Sequence, residues 1–211
     1  MLRGAFSLFR KDMKSTNKEN FGQCDLANPQ LHQLLVKVDL DLAEKVRQGG
    51  CLHCLLGNLH SAKYKRKPRS GAEKIETIYR SSFCCDQDGC RKRHTPPSVR
   101  FLGRRFYWGV VVVLVSAAHH GLTPERVRVL REALGIDRRT LERWREWWLE
   151  SLVQSSFWKI ARARFMPLVC EKTLPLSLGR AFQLERPGQL LELLKFLSPL
   201  TTTSIPLERC W

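Results

Sequence analysis

Acidic side chains are scarce in this chain. It has 20 Asp and Glu against 36 Lys and Arg, which leaves a formal net charge of +16 over 211 residues. Long apolar runs are missing too. The longest, Trp108 to Ala118, covers eleven residues between Arg104-Arg105 and His119. A helix needs ~20 residues to cross a bilayer, so this run is expected to be a buried helix and no membrane partner is expected. Met1 to Asn20 hold no apolar core of a secretory signal, and eight cysteines at irregular spacing are too few for a disulfide scaffold. A reducing cytoplasm is the expected setting. No internal repeat is present.

A catalytic carboxylate cluster is also missing. After Leu149 the acids are Glu150, Glu171, Glu185, Glu192 and Glu208, in helical or irregular sequence with no run of buried strands to carry them. Two-metal nucleases and transposases need such a scaffold. His119-His120 are adjacent, not split by an apolar residue as in the paired-histidine metal motif of single-strand transposases. The chain is therefore read as a non-enzyme, with a subunit of a DNA-processing enzyme (transposase or nuclease) as the competing class.

What is present is concentrated charge. Between His60 and Arg145 lie 20 basic and 8 acidic residues, twelve of the sixteen net charges. That density points to a polyanion, phosphate above all. Hydrophobic residues make up 43% of the chain, enough for a folded core.

Five segments are expected. Residues 1–27 form a basic arm. Residues 28–50 form an amphipathic helix begun by Asn28-Pro29, carrying Leu31, Leu34, Leu35, Val38 and Leu42, and stopped by Gly49-Gly50. Residues 51–103 hold the cysteines and a strand-like run from Ile75 to Phe83. Residues 104–150 are helical, with breaks at Gly121 to Thr123 and at Gly135. Residues 151–211 are an extension broken by prolines, in which Gln189 to Leu197 is the clearest helix. The class is α+β, mostly α, with short strands confined to the cysteine-bearing module.

The cysteines have metal-ligand spacing. Zinc takes four soft ligands in a tetrahedron, commonly from two tight turns that each present a cysteine pair. Cys51-x2-Cys54 is one such pair, and Cys85-x4-Cys90 or Cys84-x5-Cys90 is the other, with Asp88-Gly89 as the turn. Cys85 is preferred because its loop is shorter and because a strand would put Phe83 on the same face as Cys85, with Cys84 facing away. His53 and His60 are lesser rivals. One structural zinc held by Cys51, Cys54, Cys85 and Cys90 would have no open position for chemistry.

Around Gly135, Leu130, Leu134, Ile136, Leu141 and Trp144 have the spacing two helices need to pack across a tight turn. Thr123-Pro124-Glu125 begin the first helix and Asp137 caps the second. The second helix then opens with Arg138, Arg139 and Thr140, followed by Arg143. In a helix-turn-helix that end enters the major groove, where arginine bonds guanine in a bidentate manner. Arg131 occupies a place that usually takes a small residue. Trp144, Trp147 and Trp148 are expected to pack, not to stack on bases. Lys63, Lys65, Arg66, Lys67, Arg91, Lys92 and Arg93 lie in or beside the cysteine module and are expected to contact phosphate.

Cys51-Leu52-His53-Cys54, Phe83 to Cys90, Arg91-Lys92-Arg93 and the Leu130 to Trp144 motif together resemble zinc-ribbon plus helix-turn-helix modules of bacterial insertion-sequence proteins, of which the InsA-type repressor is the nearest form. The resemblance covers about Cys51 to Trp148. Thr95 to Arg105 is similar to a segment of transposon-linked bacterial proteins. The second cysteine pair is wider here than in that family, and some sixty residues follow the motif with no counterpart in it. What the resemblance implies is sequence-specific binding of double-stranded DNA at element ends or a promoter, by a nucleoid-associated accessory protein or repressor with a transposase as partner. A zinc-ribbon adaptor that bridges RNA or protein is the further alternative. The leucines of 189–197 exceed what a short isolated helix can hide, so 151–211 is expected either to mediate homodimerisation or to fold back onto the helical core.

Overall fold

The computed structural model describes residues 29–66, 78–102, 107–117, 123–184 and 188–202. The basic arm 1–27, Asn28, Lys67, Ile75 to Thr77, Arg104, Arg105, His119 and His120 lie outside the described residues. The fold is α+β and mostly helical, with three small antiparallel sheets.

Helix α1 spans Pro29–Gln48 and ends where the glycine pair begins, with the Gly49 amide on the Lys45 carbonyl and the Gly50 amide on that of Arg47. Leu31, Val38 and Leu42 lean on the main core as the apolar spacing requires. Its most buried row is Leu35, Asp39 and Ala43, one turn apart. Leu35 enters the main core, while Ala43 enters a second, smaller cluster with Cys51, Leu59, Phe83 and Cys85.

Strands β1 (Leu59–Ser61), β4 (Phe83–Cys85) and β5 (Arg93–His94) form one sheet in the order β1-β4-β5. Strands β2 (Tyr64–Arg66) and β3 (Ile78–Arg80) form a two-stranded ribbon in which Lys65 faces Tyr79. The described part of the strand-like run, Ile78 to Phe83, belongs to two strands, because the chain leaves one sheet for another at Ser81-Ser82. Strands β6 (Phe101–Leu102) and β7 (Tyr107–Trp108) make the third pair. Trp108, expected at the start of a helix, is in β7, where its ring stacks on that of Phe101 at 5.5 Å. Helix α2 follows immediately at Gly109–Ala117, with Val110 to Val115 buried.

Helix α3 (Pro124–Leu134) turns at Gly135 into α4 (Arg138–Glu146). Gly135 has φ +63, a left-handed conformation that a residue with a Cβ rarely adopts. Asp137 caps α4, its carboxylate accepting the Thr140 amide at 2.7 Å. Arg131 is exposed, so its length does not crowd the helix crossing. The helical path runs on through a π-helical turn, Trp147–Ser151, and an α turn, Leu152–Gln154. Position 150 is therefore inside a continuous helical stretch and is not a structural boundary.

Helices α5 (Ser156–Ala161), α6 (Leu176–Ala181) and α7 (Gln189–Leu197) complete the main core. Leu190, Leu193, Leu194 and Leu197 of α7 are buried in the same core as Trp144 and Trp148. Of the two outcomes expected for the tail, these leucines take the second: they are covered by the chain's own helices. Leu191, the other leucine of this face, is half-buried against the same core.

The segment from Thr95 to Leu102 joins these parts. Asp39 accepts three hydrogen bonds, each of 2.7 Å: from the Ser98 hydroxyl, the Val99 amide and the Arg100 Nε. Arg100 also donates to the Tyr79 carbonyl at 3.0 Å. Arg80 reaches the carbonyls of Pro96 and Thr201, and the Ser98 amide donates to the Thr201 hydroxyl. Asp39 and Arg100 are both buried, which makes their 2.7 Å ion pair an internal one.

Removing one partner of a buried ion pair leaves the other charge without compensation. Asp39→Ala or Arg100→Ala is expected to destabilise the fold by about 3–5 kcal/mol. The double variant Asp39→Ala/Arg100→Ala should lose less than the sum of the two single changes. Urea unfolding followed by tryptophan fluorescence measures this, and strictly additive losses would show that the pair is not coupled.

Candidate metal centre and basic surface

The four sulphurs of Cys51, Cys54, Cys85 and Cys90 lie within 4.8 Å of one another, a group able to hold a metal ion. Two of the separations, Cys51 to Cys90 and Cys54 to Cys85, are 3.6 Å. Two ligands about 2.3 Å from a tetrahedral ion stand about 3.8 Å apart, so the cage has the right size. All six described cysteines are free thiols.

Local structure builds each half of the cage. After Cys54 the chain doubles back, so that the Leu55 amide meets the Cys51 carbonyl and the Cys51 amide meets that of Gly57. The Gly57 amide points at the Cys54 sulphur (3.3 Å). In the other half the Gln87 amide points at the Cys85 sulphur (3.4 Å), and the amides of Cys90 and Arg91 close the turn on the Gln87 carbonyl. Amides aimed at sulphur favour the thiolate, the form that binds metal. The backbone hydrogen bonds of Leu56, then Gly57, bring the Cys54 thiol down to about 6. Burial pushes the Cys85 thiol up to about 12. An ion that binds here must therefore displace protons, and its affinity falls as pH falls.

Between Cys84 and Cys85 the strand decides. In β4 the burial alternates, with Phe83 and Cys85 inside and Cys84 turned outward opposite His60 and Arg93. Cys84 donates weakly to the Arg91 carbonyl instead. Neither histidine rival belongs to the group: His60 is exposed on Asp86 at 3.2 Å, and His53 is an exposed ring against His94.

Two residues of the site went unread in the sequence. His94, wholly buried, places Nε2 3.3 Å from the Cys51 sulphur. Burial, and then the charge of His53, lower its basicity. Whether Nε2 donates to that sulphur or accepts from it follows the ring's tautomer, and Nδ1 is buried with no hydrogen-bond partner among the described residues. Gly57 is the other. A Cβ there would lie 2.3 Å from the Cys85 sulphur. The spacing Cys51-x2-Cys54-x2-Gly57 was available in the sequence, whereas His94 reaches the site only through the β4–β5 pairing.

The residues expected to meet DNA fall into two groups. Lys63, Lys65, Arg91, Lys92 and Arg93 are exposed, while Arg66 is half-buried with its guanidinium over the Tyr64 ring at 4.4 Å. Arg91 is paired with Asp88 at 2.6 Å. In the second group only Arg138 and Arg139 are well exposed. Arg138 pairs with Glu142 at 2.9 Å, and Arg143 is half-buried against the Thr140 hydroxyl. Thr140, expected at the DNA, is 7% exposed and spent on the cap and on Arg143. The exposed faces of α3 and α4 are electrically mixed: Arg128 sits between Glu125 and Glu132, and Glu142, Glu146 and Glu150 lie among Arg138, Arg139 and Arg145. Trp144 and Trp148 are buried, and Trp147 packs edge-on to Trp148.

No helix of the described residues is long and apolar enough to cross a membrane. Compared with known proteins, the chain matches no family model, no curated protein and no solved structure.

Purified protein is expected to hold one metal ion per chain by elemental analysis. Cys85→Ser and Gly57→Ala should lose it, the second because Cys85 cannot keep its place beside an added methyl. Cys84→Ser should retain it. Loss of metal from Cys84→Ser with retention in Cys85→Ser would exchange the two cysteines' roles.

Proposed function

We propose that the chain is a double-stranded DNA-binding protein whose small sheet is a zinc ribbon and whose α3–Gly135–α4 unit is a helix-turn-helix. The ion assigned to the cage is zinc, because four thiolates in a tetrahedron suit it and the cage has no open position. Its role is structural: a cluster as small as Ala43, Leu59 and Phe83 gains its folding energy from metal. The observation that carries the reading is the concentration of exposed cations, Lys63, Lys65, Lys92 and Arg93, on and beside the ribbon with few acids among them. The resemblance to InsA-type modules adds the expected setting, a transposon-associated accessory protein or repressor in the cytoplasm with a transposase as partner.

Field strength lies with the ribbon, so affinity comes chiefly from phosphate contacts there. Base reading falls to Arg139 and to Arg138, whose exposed pair with Glu142 is worth ~0 to 1 kcal/mol and can be exchanged for guanine. A protein-bridging role is favoured by one separate observation. Leu55 and Leu56, at the tip of the first cysteine turn, are 73% and 81% exposed, and Leu55 holds φ 60 where glycine is the usual choice.

Alanine variants titrated on selected and scrambled duplexes at several salt concentrations test the assignment. Lys63→Ala, Lys65→Ala, Lys92→Ala and Arg93→Ala should weaken binding to both duplexes alike and lower the salt slope by about one each. Arg139→Ala should cost ~1 to 3 kcal/mol on the selected duplex and little on the scrambled one. Equal losses on both duplexes for Arg138→Ala and Arg139→Ala would remove α4 as the reading helix. Failure of the unaltered chain to bind any duplex at low salt would leave the adaptor role.

A further inference from the structure

The β2–β3 ribbon carries a feature that duplex binding does not use. Its inner face is anchored: Ile78 packs on the main core, and Arg80 is buried with hydrogen bonds to the carbonyls of Pro96 and Thr201. Its outer face presents Tyr79, 53% exposed, directly across from exposed Lys65. Lys63 is exposed just before β2. The backbone beneath the tyrosine is fixed, because its carbonyl accepts from the buried Arg100, itself held by Asp39. An aromatic ring exposed on an immobile strand is preorganised to bind, since little ordering remains to be done.

The chemistry of that face selects its ligand. Directly opposed residues of an antiparallel pair stand about 4.5–5.5 Å apart at Cβ, so an ammonium and a ring face are offered side by side. A ring face has affinity for another flat π surface, and an ammonium for phosphate. Within a duplex the base faces are covered by their neighbours, and only edges and phosphates are accessible. An unpaired nucleotide presents both a free base face and a phosphate.

We infer that the outer face of the β2–β3 ribbon, through Tyr79 and Lys65, binds an unpaired nucleotide, the base stacked on Tyr79 and its phosphate held by Lys65. The inference rests on the nucleic-acid reading above and extends it to strands opened or frayed beside the duplex that the ribbon and α4 hold. Stacking on a tyrosine is tolerant of base identity, so this contact adds affinity without sequence choice.

The test uses the full-length, metal-loaded chain and fluorescence anisotropy with labelled oligothymidylate, oligouridylate and a blunt duplex. Tyr79→Ala should weaken single-strand binding by about five- to a hundredfold, with duplex binding within about twofold. Tyr79→Phe, which keeps the ring, should bind as the unaltered chain does. Lys65→Ala should weaken both ligands and lower the salt slope. Unchanged metal content and circular dichroism of Tyr79→Ala show that the fold is kept. If duplex binding is present and Tyr79→Ala leaves single-strand binding untouched, or weakens both ligands equally, this inference is wrong while the DNA-binding reading stands. If the unaltered chain binds neither duplex nor single strand, both fall. Preference for oligouridylate over oligothymidylate, with the same dependence on Tyr79, would assign the unpaired strand to RNA.

Discussion

A carboxylate buried in the middle of a helix is costly unless every lone pair finds a donor, and Asp39 meets that condition with donors from a single short segment. Ser98, Val99 and Arg100 all converge on it. The consequence extends well beyond the pair. With Arg100 fixed, its second nitrogen holds the Tyr79 carbonyl and so sets the position of β3. With Ser98 fixed, its amide holds Thr201 and the end of the chain's last described turn. Helix α1, the β2–β3 ribbon, the third strand pair and the helical core are thus registered against one another through eight residues, Thr95 to Leu102. This gives Thr95 to Leu102, the described part of a segment conspicuous in the sequence, a physical role as a junction.

The metal cage depends on that junction. Its sheet has strands of two or three residues, and its apolar cluster is confined to a few side chains beside the cysteines. A module of that size does not bury enough surface to hold itself together, so it needs covalent or metal cross-links or an external buttress. The buttress is present here, and so are four thiols placed to take a metal cross-link. Ala43 of α1 packs under Leu59 and Phe83, and the four thiols come from turns separated by thirty residues of chain. His94 and Gly57 then trim the site, one by setting a ring nitrogen against the Cys51 sulphur and one by making room for that of Cys85.

Electrostatics divide the molecule differently from its secondary structure. The arginines of α3 and α4 stand among glutamates at helical spacing, and their fields largely cancel beyond a Debye length. The cations of the ribbon have fewer acids to oppose them. Concentrated positive charge and the charge-mixed helical face thus lie on separate surfaces, the separation that the proposed division between phosphate and base contacts calls for.

Much of this was legible in the sequence, wherever the determinant is local. Proline and paired glycines bound α1, Gly135 and Asp137 define the turn before α4, and two cysteine pairs announce a metal site, because caps, left-handed turns and ligand spacing act over a few residues. The preference for Cys85 over Cys84 also follows from the alternation of a strand. Tertiary structure decided what depends on distant partners. Asp39 in the buried row of α1 reads as a solvent-facing residue until Arg100 is brought to it. Thr140 and Arg143 read as DNA contacts until the cap and the helix packing occupy them. The split of Ile78 to Phe83 between strands of two sheets, and the burial of the α7 leucines in one core with Trp144 and Trp148, depend on which surfaces meet, and periodicity within a segment records that a face is apolar without recording what covers it.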